Sequence, residues 1–232
     1  MKTLAVIAVT VAALLGLVAA SPAGSAGDAL PDLVPIRSYL KDRRVTFEAG
    51  HKLLRFSNGV GNYGPGALEV RGTRATTNDP MTAIQRVYQM GGGFVDVEVG
   101  TFSFEIPHNH WHFDDYVLYE LLRPDGTVAA TNDKSGFCLL DIARVRPGLP
   151  GSPRDPVYLT CNQGEFDALN IGPEGISRGW TDVYDWTLEG QSLDVTGLPG
   201  GIYYLRSTVD PLDLIDETDE GNNAATVAVR LR

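Results

Sequence analysis

Apolar and polar residues alternate with a period of two through much of this chain, and turn-forming residues break the alternation at short intervals. The segments Arg44–Glu48, Lys52–Ser57, Ala67–Arg71, Ala83–Met90, Phe94–Glu98, Tyr116–Leu122 and Thr127–Thr131 read as strands. So do Trp180–Leu188, Ser192–Thr196, Ile202–Asp210 and Ala225–Arg232. Gly91-Gly92-Gly93 reads as a hairpin turn, as does Arg123-Pro124-Asp125-Gly126, and the glycine-rich stretch Gly59–Gly66 reads as a turn between strands. No helical periodicity persists beyond two turns. The pattern predicts an all-β chain, a single β-sandwich domain over residues 27–232 with long irregular loops. Prolines 147, 150, 153 and 156 make Asp141–Arg178 the longest of those loops.

One stretch carries unusual chemistry on this pattern. Phe102–Phe113 reads F-S-F-E-I-P-H-N-H-W-H-F and holds three of the four histidines. On a strand, His108, His110 and His112 share one face, with Asn109, Trp111 and Phe113 on the other. Three imidazoles without a nearby thiol suit copper, zinc or nickel rather than calcium or magnesium. A regular strand would hold the outer two Cα atoms roughly 13 Å apart, so joint chelation needs a bend, for which Pro107 is the natural place.

The first residues stand outside the fold. A basic start at Lys2, an apolar run from Leu4 to Ala20 and small residues up to Ala26 predict a secretory signal peptide within residues 1–26, cleaved after Ala20 or Ala26. The remaining chain has no apolar stretch long enough to cross a bilayer, so the protein is expected to be secreted and extracellular. In an oxidising compartment Cys138 and Cys161 are expected to pair.

The formal net charge of −10 becomes one unit more negative once Lys2 is removed. Such a balance disfavours nucleic acid and anionic membranes and favours cationic partners, although it also serves plain solubility.

Four further features bear on function. Lys134 lies four residues before Cys138, and a desolvated lysine amine is a nucleophile, whereas an ordinary surface lysine is solvated. Trp180, Asp182, Tyr184 and Trp186 share a strand face, which forms either a reactive wall or plain core. Glu217-Thr218-Asp219-Glu220-Gly221-Asn222-Asn223 gathers oxygen donors in a turn, which suits calcium or a solvated surface loop. His51 reads as a partly buried histidine without a metal role.

In this order the motifs resemble the lysyl oxidase family. His108-Asn109-His110-Trp111-His112 is similar to its copper motif. Lys134-Ser135-Gly136-Phe137-Cys138 and Gly179-Trp180-Thr181-Asp182-Val183-Tyr184 are similar to the segments carrying its lysine and tyrosine. Pro31-Asp32-Leu33-Val34-Pro35, His51–Phe56 and the stretch from Asp194 to Asn223 extend the match over nearly the whole mature chain.

The resemblance implies copper on His108, His110 and His112, and a lysine tyrosylquinone cofactor made from Lys134 and Tyr184. It implies oxidative deamination of peptidyl-lysine ε-amines or small primary amines to aldehydes, with molecular oxygen reduced to hydrogen peroxide and ammonia released. The chemistry is intelligible, because no ordinary side chain is an electrophile and capture of an amine requires a built carbonyl. A cationic amine or lysine-rich protein would be the substrate. The resemblance also implies a calcium site from Asp32, Leu33, Glu217, Asp219, Asn222 and Asn223.

Two departures matter. Animal members carry many cysteines where this chain has two, and they have a histidine where Leu118 precedes Tyr119. The proton acceptor is thereby left open among Asp114, Asp115 and Asp182. A non-catalytic, metal-binding sandwich that keeps the scaffold is the alternative, and a zinc hydrolase would leave Lys134 and Tyr184 without a purpose.

Overall fold

A computed structural model describes residues 27–132 and 136–232. The signal peptide expected at residues 1–26 and the segment containing Lys134 lie outside the described residues. The fold is all-β, as expected, with strands arranged in four sheets. Among the described residues, no helix is long and apolar enough to cross a membrane.

The largest sheet runs in the order Asn170–Ile176, Leu68–Thr73, Met81–Gln89, Phe94–Glu105 and His110–Phe113, with Asp28–Ala29 added beside Met81–Gln89. A second sheet orders Val128–Thr131, Val117–Leu122, Gly201–Val209 and Ala224–Leu231. A third orders Ala143–Arg144, Trp180–Tyr184, Asn58–Asn62 and Leu33–Pro35, and a fourth joins Ser192–Asp194, His51–Phe56 and Arg43–Glu48. All named ladders are antiparallel, so each strand can turn one face inward. Leu33, Leu54, Phe56, Leu68, Phe102, Phe113, Tyr119, Leu205 and Val227 come from all four sheets and meet in one buried cluster.

Three expectations from the alternation are corrected. The glycine-rich Gly59–Gly66 segment is not all turn, because Asn58–Asn62 is a fully buried strand between Trp180–Tyr184 and Leu33–Pro35. Glycine is required there, since a Cβ at Gly59 would overlap the Tyr39 ring. The long loop from Asp141 to Arg178 contains a strand at Asn170–Ile176, paired with Leu68–Thr73 through a register shift between Ile171 and Glu174. Gly172, Pro173 and Gly175 hide its alternation, and Gly175 packs directly on the Leu68 carbonyl. The strand starting at Trp180 stops at Tyr184, because the Asp185 carboxylate accepts from both the amide and the hydroxyl of Thr187 and closes a turn.

A chain of edge-on aromatic contacts leads from this core outward. Phe56 meets Tyr119 at 4.8 Å, Tyr119 meets Phe137 at 6.1 Å, and Phe137 meets Tyr184 at 4.8 Å, all near perpendicular. Each such pair adds about 0.5–1.5 kcal/mol beyond area burial. Tyr184 is therefore packed edge-on against the aromatic core.

Candidate functional site

The histidine motif is a hairpin, not one continuous strand. Phe102–Glu105 pairs with His110–Phe113, Glu105 facing His110 and Ser103 facing His112. Ile106–Asn109 forms the connecting turn, with the amides of His108 and Asn109 donating to the Glu105 carbonyl at 3.1 and 2.8 Å. Pro107 lies inside the turn, as the need for a bend suggested, and Asn109 adopts a left-handed φ of 57°. The strand expectation failed at His108 because the alternation continues through residues that fold back.

This reversal solves the spacing problem. His110 and His112 remain two apart on one strand face, while the turn carries His108 back over them. The ring centroids lie 5.5, 5.3 and 4.7 Å apart, and one nitrogen from each ring lies within 4.8 Å of the others. The Nε2 atoms of His110 and His112 are 2.9 Å apart. Metal–nitrogen bonds of about 2.0–2.1 Å place tetrahedral donors roughly 3.3 Å from one another. The three imidazoles thus fit one borderline ion such as copper or zinc with small adjustments, and a hard oxygen-seeking ion poorly.

The opposite face holds the hairpin in place. Trp111 and Phe113 are buried, and the Trp111 indole donates to the Glu165 carbonyl at 3.0 Å. Phe113 exchanges backbone hydrogen bonds with Phe137 at 2.7 and 3.0 Å. Gly136 lies so near His112 that an added Cβ would stand 3.0 Å from the histidine Cβ. Gly136 and Phe137 are therefore laid directly along the histidine strand.

Tyr184 arrives from the other side. Its hydroxyl accepts from the Cys138 amide at 2.8 Å and donates to the Cys138 carbonyl at 2.7 Å. Burial, with the Asp182 carboxyl close by, pushes the phenol pKa well above its usual value. Cys138 is bonded to Cys161, as expected, with Cα atoms 5.5 Å apart. Glu174 braces both arms of this bridge, accepting from the Leu139 amide at 3.2 Å and from the Asn162 side chain at 3.1 Å.

A cavity of about 280 Å³ brings these parts together. His108, His110, His112, Tyr184 and the disulfide line it, with Leu140, Ile142, Val183 and Leu188 as apolar walls. Lys134 lies outside the described residues. On either side of its segment, the Asn132 side chain donates to the Gly190 carbonyl at 2.9 Å, and Gly136 abuts His112.

The three candidate proton acceptors separate in space. Asp182 lines the cavity. Asp114 instead accepts from the Thr101 and Ser103 hydroxyls at 2.9 Å each, and Asp115 is exposed. Sequence reasoning missed Glu189, an exposed carboxylate on the cavity rim 3.6 Å from His108 Nε2. No periodicity or motif marks it.

The oxygen-rich turn also assembles. Glu217 accepts from the Leu33 amide at 2.7 Å and from Asn223 at 2.8 Å, and Asn222 donates to Asp32 and Asp219. The side-chain oxygens of Asn222 and Asn223 are buried without a hydrogen-bond partner, which suits a hard cation. Beside them Asp210, Asp213 and Glu220 bring carboxylate oxygens within 4.8 Å of one another, a grouping the sequence did not suggest. His51, expected to be partly buried, is exposed at a hairpin end and bonds Asp194 at 2.7 Å.

Fold and site together define an all-β protein whose three-imidazole cluster and half-buried tyrosine share one apolar cavity. The Lysyl oxidase family model matches residues 86–232, and the chain belongs to that family. Lysyl oxidase homolog 3A of Danio rerio is 30% identical over 121 residues, covering 50% of this chain and 14% of that protein. Lysyl oxidase homolog 3 of Homo sapiens is 29% identical over the same shares. Lysyl oxidase homolog 2 of Gallus gallus is 29% identical over 120 residues, covering 50% of this chain and 13% of that protein. The match thus spans only about 14% of the length of these relatives.

Proposed function

We propose that this protein is a secreted, copper-dependent amine oxidase that deaminates peptidyl-lysine ε-amines or small primary amines. One observation carries the proposal: His108, His110, His112 and Tyr184 line the same cavity. Copper there would supply the redox chemistry that turns a phenol into a quinone joined to Lys134, and with it the carbonyl that captures an amine.

The chain's own residues supply the rest. The imidazoles of His108, His110 and His112 form the donor set, and the burial of Trp111 and Phe113 keeps it aimed at the cavity. The Cys138 backbone fixes the tyrosine oxygen, which sets the plane and tilt of the ring. Leu140, Ile142, Val183 and Leu188 give apolar walls for an alkyl stem, and the exposed Glu189 carboxylate at the rim favours an arriving ammonium group. The acidic net charge agrees with a cationic or lysine-rich substrate. Calcium held between Asp32, Leu33, Glu217, Asp219, Asn222 and Asn223 would tie the strand Leu33–Pro35 to the turn before the last strand.

The test is amine-dependent hydrogen peroxide release by copper-loaded protein. Activity that is present in the wild type and absent in Tyr184→Phe is expected. Peroxide release that persists in Tyr184→Phe, or is absent from the loaded wild type, contradicts the proposal.

A further inference from the structure

We infer that Asp182 is the group that takes the proton from the substrate carbon bearing the amine. The inference rests on the amine-oxidase proposal above and assigns the role that the sequence left open.

Oxidation of a primary amine must break a carbon–hydrogen bond beside the nitrogen. The electron pair passes to the tyrosine-derived cofactor, reducing it by two electrons, and the proton needs an acceptor within reach. Water then releases the aldehyde and ammonia, and molecular oxygen recovers the two electrons as hydrogen peroxide. The sum is amine, oxygen and water giving aldehyde, ammonia and peroxide. Water is a weak base, so a carboxylate placed at the cavity is the more effective acceptor.

The cavity restricts the choice. Among the described residues, and apart from the three imidazoles and Tyr184, its ionisable lining residues are Asp182 and Glu189. Glu189 has 83% of its side chain exposed at the rim beside His108, which suits capture of an arriving cation. Asp182 is only 4% exposed. It stands two residues before Tyr184 on the strand Trp180–Tyr184, so both side chains project from the same face. Asp114 is engaged by two hydroxyls away from the cavity, and Leu118 offers no acceptor.

The surroundings of Asp182 favour holding a proton. Glu174, Asp141, Tyr116, Tyr119 and Tyr184 act on it electrostatically, and the imidazoles of His108, His110 and His112 line the same cavity. Burial, more than these neighbours, raises its pKa well above the usual carboxylate range, while hydrogen bonds from the Leu140 and Val183 amides oppose the rise. Copper held by the three imidazoles and an ammonium group in the same cavity would favour its ionised, proton-accepting form.

Asp182→Asn and Asp182→Glu test this with phenylhydrazine and with an amine deuterated at the reacting carbon. Phenylhydrazine captures the carbonyl cofactor without carbon–hydrogen cleavage. Asp182→Asn should keep wild-type copper content and adduct yield while amine turnover falls by about 100-fold or more. Asp182→Glu should recover part of that loss and show a larger deuterium isotope effect than the wild type. Turnover in Asp182→Asn within about threefold of wild type would overturn the inference. So would joint loss of adduct and turnover, which would place Asp182 in cofactor formation. A wild-type protein that forms no adduct would instead count against the amine-oxidase proposal.

Discussion

The hydroxyl of Tyr184 and the backbone of Cys138 form a closed pair: one phenol oxygen accepts from the amide and donates to the carbonyl of the same residue. Fixing both partners at one point ties the tyrosine to the disulfide, and through Phe113 and Phe137 to the histidine hairpin.

Removing that hydroxyl should be felt in stability as well as in chemistry. Tyr184→Phe leaves the Cys138 amide and carbonyl without this partner, at a cost of about 1–3 kcal/mol for a buried unsatisfied group. Denaturant unfolding of metal-free protein measures it. Unchanged stability would mean that the hydroxyl does not clamp Cys138.

The imidazoles should be separable from the fold. Trp111 and Phe113 carry the packing of their strand, so His110→Ala should abolish stoichiometric copper binding while leaving the midpoint of unfolding nearly unchanged in metal-free protein. Metal analysis after dialysis, with thermal unfolding alongside, checks both halves. Retention of one copper per chain would remove His110 from the donor set.

Glu174 gives the fold a pH dependence of definite sign. Burial lifts its pKa to about 8, above an ordinary value near 4.5. A group whose folded pKa is raised contributes stability fully below its unfolded pKa and loses it as pH rises through the folded value. Stability from this site should therefore decline between about pH 4.5 and 8, and Glu174→Gln should flatten that decline in urea titrations. A decline of unchanged slope in the variant would assign it to other groups.

The oxygen-rich turn makes a related forecast with a different remedy. Burial, with Glu220 close by, raises Glu217 to about 8, and burial with Asp213 and Asp210 raises Glu220 to about 7. Without a cation, stability from this turn falls as pH rises through that range. Calcium should offset the loss, raising Tm more at pH 8 than at pH 5, and Asn223→Ala should weaken the effect. An equal calcium response at both pH values would contradict this role.

Much of the fold was legible because alternation marks strands that bury one face. Arg43–Glu48, His51–Phe56, Val117–Leu122 and Ala224–Leu231 fall where the pattern puts them. It failed where glycine replaced side chains. Asn58–Asn62 is buried on both faces and needs Gly59 for the approach of Tyr39, and Asn170–Ile176 is interrupted by Gly172, Pro173 and Gly175. The site was legible as motifs but not as geometry. Sequence put the three histidines on one strand, whereas the Ile106–Asn109 turn delivers His108 from above, and nothing local announced that Asp182 and Glu189 line the same cavity.

In the proposed function the histidine cluster acts first on the protein's own tyrosine. The direct measurement is peptide mass spectrometry of mature protein loaded with copper and exposed to oxygen. A peptide containing Lys134 covalently joined to one containing Tyr184 is expected, absent from metal-free protein and from Tyr184→Phe. Recovery of only the two separate peptides from the loaded, oxygenated protein would contradict it.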